Sequence, residues 1–141
     1  PTVARPGQAA AALAAVADAH AVGTYPLPPL ADGTLDGAAL VRAVLADLDA
    51  GVPIPAVAAS VHAGIARATA TAAAMVAERH RLELVVLAGD VFENRLLLER
   101  TAAALSGAGL HVLVPERLPI GDGAIAFGQV AIAAARLAAG R

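Results

Sequence analysis

The sequence predicts an α/β fold, a helix-rich unit built on a small parallel sheet. Three observations carry that expectation. Residues 84–87 form a short apolar run, Leu-Val-Val-Leu, without alternation, the pattern of a strand covered by helices on both faces. A second strand-like run over 110–114 follows one helix-length later, and strand, helix, strand at that spacing gives a right-handed crossover with two parallel strands side by side. The longest periodic segment, 56–80, carries Val57, Val61, Ile65, Ala68, Ala72, Met75, Val76 and Arg79 along one helical stripe, which makes it a supporting helix for the sheet.

Composition bounds the rest. With 141 residues the chain is long enough for one domain or one lobe of a larger one. Hydrophobic residues make up 58%, but many are alanine and the aromatics are one Tyr and two Phe, so the core is expected to be thin in large side chains. All 10 basic residues are Arg, scattered along a chain of net charge −2, which argues against a nucleic-acid surface. The absence of Cys excludes a disulfide framework, a thiolate metal site and a cysteine nucleophile, and makes the cytoplasm the expected compartment. Mean hydropathy is +0.68, yet charges, Gly and Pro interrupt every apolar stretch well short of the roughly 20 residues a membrane helix needs. No signal peptide is expected.

The elements follow in order. A helix is expected over 8–21, with Leu13, Val16 and His20 on one face and His20 at its dipole-favoured end. Residues 25–37, broken by Pro26, Pro28, Pro29, Gly33 and Gly37, read as a loop with at most one short hairpin, turning at Asp32-Gly33. A second helix covers 38–50, with Leu40, Val41, Val44, Leu45 and Leu48 facing inward and Gly51 past its end. His62 lies beside the stripe of the long helix and reads as a buried or boundary histidine holding a backbone carbonyl, not a catalytic base. After the strand and Gly89, a helix over 92–106 buries Leu97, Leu98, Thr101 and Leu105 and spaces Arg95 to pair with Glu99. The last helix covers 124–139, with Ile125, Val130, Ile132 and Leu137 among its larger apolar residues.

A glycine at the carboxyl end of a buried strand, opening into a helix, lets backbone N–H groups face an anion, most often nucleotide phosphate. Most such turns bind nothing, so the motif is weak by itself. Ligands of open parallel sheets sit beyond the carboxyl ends of the strands. Gly89-Asp90 and the loop before Asp122 both lie at such ends and could border one crevice. Asp122 suits two roles equally, N-cap of the last helix or carboxylate facing a cation.

At these residues a resemblance becomes specific. Ala88-Gly89-Asp90-Val91-Phe92-Glu93-Asn94-Arg95-Leu96-Leu97 resembles the Ser-Gly-Gly-Val-Phe-Gln-Asn-Arg-Leu-Leu motif of HypF-type carbamoyltransferases, which mature nickel-iron hydrogenases. Pro119-Ile120-Gly121-Asp122-Gly123-Ala124-Ile125-Ala126-Phe127-Gly128-Gln129 is similar to that family's Pro-Pro-Asn-Asp-Gly-Gly-Ile-Ser-Leu-Gly-Gln, and Gly7-Gln8-Ala9-Ala10 to part of its Glu-Gly-Gln-Ala-Ala. Val61-His62 resembles its Phe-His segment. The likeness runs over nearly all of this chain and only the last part of the family's protein.

The resemblance implies a lobe of an actin-like (ribonuclease H-like) ATPase fold, residues 1–141 being the C-terminal lobe of the carbamoyl-transfer domain. In the family, carbamoyl passes from carbamoyl-adenylate, made from carbamoyl phosphate and ATP, to a C-terminal cysteine of a hydrogenase-maturation partner. By that mapping Gly89 and Asp90 belong to the phosphate loop, Asn94 to the nucleotide pocket, and Asp122 to a divalent metal site (iron, zinc or magnesium). The family's two histidine ligands fall outside this sequence, in an N-terminal portion that the site would need as partner, and no catalytic residue is assigned here. Neither His62 nor His80 replaces those ligands.

Three positions depart from the family pattern. Asp90 stands at the second loop glycine and places a carboxylate where phosphate would approach. Unit charges about 4 Å apart at an effective dielectric near 20 repel by about 4 kcal/mol, roughly a thousandfold in affinity unless a cation intervenes. Pro6 replaces a glutamate and Gly121 an asparagine, thinning polar contacts. Two readings result. The chain is the C-terminal lobe of a carbamoyltransferase, inactive alone, or it is a non-catalytic lobe kept as a structural or interaction module.

Overall fold

A computed structural model describes residues 4, 7–30 and 34–140. Helices α1 (Gln8–Val16), α2 (Gly37–Asp49) and α3 (Ile54–His80) precede β1 (Leu84–Val86), α4 (Arg95–Gly107), β2 (His111–Leu113) and α5 (Ile125–Ala138); single 3-10 turns occupy Asp90–Glu93 and Asp122–Ala124. The strands pair in parallel, Val85 opposite Val112, as the strand–helix–strand spacing predicts. No helix among the described residues is long and apolar enough to cross a membrane.

The sheet is covered on one face only, which corrects the expectation of two. Val85 and Val112 pack on the cluster of Ala70, Leu87 and Leu105, whereas Leu84, Val86 and Leu113 are each more than half exposed. With three residues per strand, successive side chains alternate between faces, and α3 and α4 supply a roof for one of them. The apolar run reflects two apolar faces; only one finds a partner within the described residues.

α3 carries the fold. It begins with Pro55 in its first turn, where a missing N–H costs nothing, and ends at Arg81 in the left-handed conformation. Its buried residues are Val57, Ala58, Ala59, Ser60, His62, Gly64, Ala66, Ala70 and Ala77; of the predicted stripe Val57 is buried, Val61, Ile65 and Ala68 are half-buried, and Ala72, Met75, Val76 and Arg79 are exposed. Met75 and Val76 are 60% and 53% exposed. Small residues win the buried face because α4 and the 17–30 segment approach the helix closely there. Gly64 meets Tyr25 so tightly that a Cβ would stand 2.6 Å from the Tyr25 carbonyl oxygen. The core is correspondingly thin in bulk, with Leu105 and Thr101 its largest fully enclosed side chains.

Elsewhere the expected elements shift. The first helix stops at Val16 instead of continuing to residue 21, because Asp18 turns its N–H onto the Pro55 carbonyl (3.0 Å). His20 therefore sits in an exposed turn, its N–H on the Asp18 carboxylate, and not on a helix end. A hairpin forms at Pro29 and Leu35, closed by Leu30 N–H to the Thr34 carbonyl at 2.7 Å; its predicted Asp32-Gly33 turn lies outside the described residues. α2 is capped by the Asp36 carboxylate, 3.1 Å from the Ala39 N–H. Its expected inward face is only partly covered: Leu40 and Val44 are half-buried, Val41, Leu45 and Leu48 are exposed, and α2 is also tied down by Asp47, which accepts the Tyr25 hydroxyl at 2.6 Å.

Candidate functional site

Two loops meet at the carboxyl ends of the two strands. The first leaves β1 through Gly89, whose φ of 109° and ψ of 156° only glycine adopts without strain. Its N–H donates across to the Ile120 carbonyl of the second loop at 2.6 Å. In return the Asp122 N–H donates to Asp90 Oδ1 at 2.8 Å. The loops are thus joined by reciprocal hydrogen bonds, and Asp90 and Asp122, 32 positions apart, are direct neighbours.

Asp122 does not cap the last helix, one of the two roles its sequence context suits. It opens the 3-10 turn Asp122–Ala124 ahead of α5, which carries no side-chain cap. Its exposed carboxylate makes no hydrogen bond or ion pair among the described residues. No cluster of three or more His, Cys, Asp and Glu among those residues could hold a metal ion.

Asn94 ends the first loop, where the predicted helix from residue 92 is replaced by a 3-10 turn followed by α4. Its Oδ1 accepts the Leu97 N–H at 3.2 Å, capping α4, and its Nδ2 donates to His62 Nε2 at 2.8 Å. His62, 4% exposed, donates from Nδ1 to the Ala58 carbonyl at 2.7 Å. The carbonyl-holding role predicted for it is observed, and the two bonds fix the Nδ1–H tautomer, leaving Nε2 an acceptor. The pairing with Asn94 was not legible in the sequence; its signal was the joint presence of Val61-His62 and the Asn94 motif in one family pattern.

Arg100 also escaped the sequence reading. Its guanidinium reaches the carbonyls of Ala59 (2.8 Å) and Ala19 (3.3 Å) and ties α4 to α3 and to the segment after α1. Arg95 pairs with Glu99 at 2.6 Å, as the spacing predicts. A groove of about 710 Å³ lined by residues including Tyr25, Leu27, Arg67, Met75 and Arg79 contains none of the loop residues.

Residues 3–129 match the family model described as the carbamoyltransferase Kae1-like domain, second subdomain. The chain is 36% identical over 124 residues to the carbamoyltransferase HypF homolog of Cupriavidus necator, covering 86% of this chain and 31% of that protein. It is also 36% identical over 119 residues to carbamoyltransferase HypF of Rhodobacter capsulatus, covering 83% of this chain and 15% of that one. The crystal structure of full-length HypF in its phosphate- and nucleotide-bound form superposes with a TM-score of 0.82 at 28% identity over 96% of this chain and 22% of that one. HypF of T. kodakarensis gives a TM-score of 0.81 at 21% identity over 96% of this chain and 18% of that one, a likeness of fold. The chain spans less than a third of the curated relatives it matches. The helix-rich α/β lobe expected from the sequence is the fold these structures share, and the chain belongs to the HypF carbamoyltransferase family.

Proposed function

We propose that this chain is the C-terminal lobe of a carbamoyl-transfer domain, inactive alone, that presents the Gly89–Asn94 and Asp122 loops to a nucleotide held against the rest of a longer protein. The reaction is transfer of carbamoyl from carbamoyl-adenylate to a C-terminal cysteine thiol of a hydrogenase-maturation partner. The bond from carbamoyl carbon to the AMP phosphate oxygen breaks, a carbon–sulfur bond forms, and the thiol proton is released.

The observation that carries this reading is the hydrogen-bonded meeting of the two loops at the strand tips, with Asn94 fixed by His62 and by α4. Ligands of open parallel sheets bind at such ends. Asn94 keeps one amide hydrogen for a nucleotide, and Asp122 offers a carboxylate to a divalent metal whose remaining ligands come from outside this chain. When bound, that metal supplies Lewis-acid stabilisation of phosphate or carbamoyl oxygen. A relative solved in a phosphate- and nucleotide-bound form supports nucleotide binding in the family.

A second reading rests on a specific observation: the Asp90 carboxylate already holds the Asp122 N–H. In that reading the lobe keeps its fold, binds no nucleotide and acts as a structural module. The deciding experiment joins the chain to the upstream portion of a HypF relative and measures ATP binding by calorimetry, with and without magnesium, and AMP release with a cysteine-terminated acceptor peptide. Magnesium-dependent ATP binding and AMP release support the transferase lobe; neither, in a folded joined protein, supports the module. The chain alone is expected to turn over no carbamoyl phosphate and ATP.

A further inference from the structure

Glycine stands at two places where the loops meet, for different reasons. Gly89 has a positive φ, so its backbone demands glycine. Gly121 does not: its φ of −100° and ψ of −155° are extended values open to any residue. What a side chain at Gly121 would meet is the exposed Asp90 carboxylate in the position it takes here. A Cβ there would overlap Asp90 Oδ1 and stand 3.1 Å from both Asp90 Cγ and Glu93 Oε1. Gly121 is buried while Asp90 is exposed, so an added methyl would push the Asp90 carboxylate out of this position into solvent.

The same Asp90 oxygen takes the Asp122 N–H at 2.8 Å. The second junction donor, Gly89 N–H, is engaged by the Ile120 carbonyl. Among the described residues no cation pairs with this carboxylate: Arg95 is paired with Glu99, and Arg117 of the second loop makes no ion pair. Asp90, Glu93 and Asp122 thus bring three acidic side chains to the junction.

We propose that the Asp90 carboxylate is an internal plug, occupying the seat that an external phosphate oxygen would take on the Asp122 N–H, and that Gly121 is the residue that makes room for it. Asp90 and Gly121 are therefore one coupled feature, and the first is a specificity-determining residue that closes the junction to free anions. A phosphate oxygen on the same N–H would meet the carboxylate at about 4 Å or less, a repulsion that weakens binding on the order of a thousandfold. The consequence for phosphate rests on the nucleotide reading above; the packing of Asp90 against Gly121 does not.

The test uses the full chain as wild type, Asp90→Gly, Gly121→Ala and the double variant, with thermal unfolding and a titration of inorganic phosphate on each. Gly121→Ala is expected to lower Tm by about 2 °C in the wild-type background, through loss of the Asp90 bond to the Asp122 N–H, and by a small fraction of that beside Asp90→Gly. Asp90→Gly is expected to bind phosphate at least a hundredfold more tightly than wild type. Equal cost of Gly121→Ala in both backgrounds overturns the coupling, and equal phosphate affinity of wild type and Asp90→Gly overturns the plug. Should Asp90→Gly fail to fold, Asp90→Asn keeps the shape and removes the charge; phosphate binding at least tenfold above wild type supports the plug, and binding equal to wild type overturns it. Failure of the joined protein to bind ATP, with the rescue and phosphate gain intact in the lone chain, overturns the nucleotide reading and leaves the plug standing.

Discussion

Asn94 is spent on structure from both ends of its amide, and that makes it the most informative residue to change. Asn94→Ala removes the cap of α4 and leaves the buried His62 Nε2 without its donor. The two losses add to about 2 kcal/mol, read as a lower denaturant midpoint at unchanged slope. Asn94→Ser restores the cap but not the reach to His62, so it should recover about half. Equal loss in both variants would show that the imidazole bond dominates. Thr101 makes the opposite case. Fully buried, its hydroxyl has no hydrogen-bond partner among the described residues. Thr101→Val keeps the shape and removes the unsatisfied group, so stability should be unchanged or rise by up to about 1 kcal/mol in urea unfolding.

At the scale of elements, α3 and its neighbours rest on small residues and one tyrosine. Gly64→Ala drives a methyl into the Tyr25 backbone and should cost about 2 kcal/mol or more, whereas Gly128→Ala in α5, with open space around it, should add roughly 0.5–1 kcal/mol of helix propensity. Differential scanning calorimetry on both variants separates the two glycines. Tyr25 joins the loop before the hairpin to α2 through Asp47, and burial, reinforced by that bond, pushes its phenol from 10.0 up to about 12. The folded state favours the protonated form, so this contribution is fully present below pH 10, the unfolded value, and is lost as pH rises toward about 12. Wild type should lose stability across that window, and Tyr25→Phe should show a flatter profile there in chemical unfolding followed against pH.

For the whole molecule, the notable surface is α5. None of its residues is buried, and Ile125, Phe127, Val130, Ile132 and Leu137 are 55–81% exposed. The uncovered sheet face adds Leu84, Val86 and Leu113. Exposed apolar area of this extent marks a surface built for contact. The lone chain should bind a hydrophobic dye such as ANS strongly, and joining it to the upstream portion of a relative should reduce that signal several-fold. Unchanged dye binding in the joined protein would mean that the upstream portion does not cover this face.

Much of the local structure was legible because it depends on near neighbours. The Arg95–Glu99 pair, the ends of α3 and α4 within a few residues, the glycine turn at Gly89 and the carbonyl held by His62 all follow from spacings of four residues or fewer, or from one residue's own backbone freedom. Errors arose where a distant segment chose. Periodicity located an apolar stripe on α3 but not the alanine face that α4 would press against, since close approach selects small residues that hydropathy ranks below Met75 and Val76. Residues 84–87 read as doubly covered because composition reports what a strand could bury, not what arrives to bury it. By itself the sequence determined the helix–strand order and the two glycine-bearing loops at adjacent strand tips. Only tertiary structure decided that Asp90 turns its carboxylate onto Asp122 and that Gly121 must stay bare for it, because that contact joins residues about 30 positions apart and no local rule reaches so far.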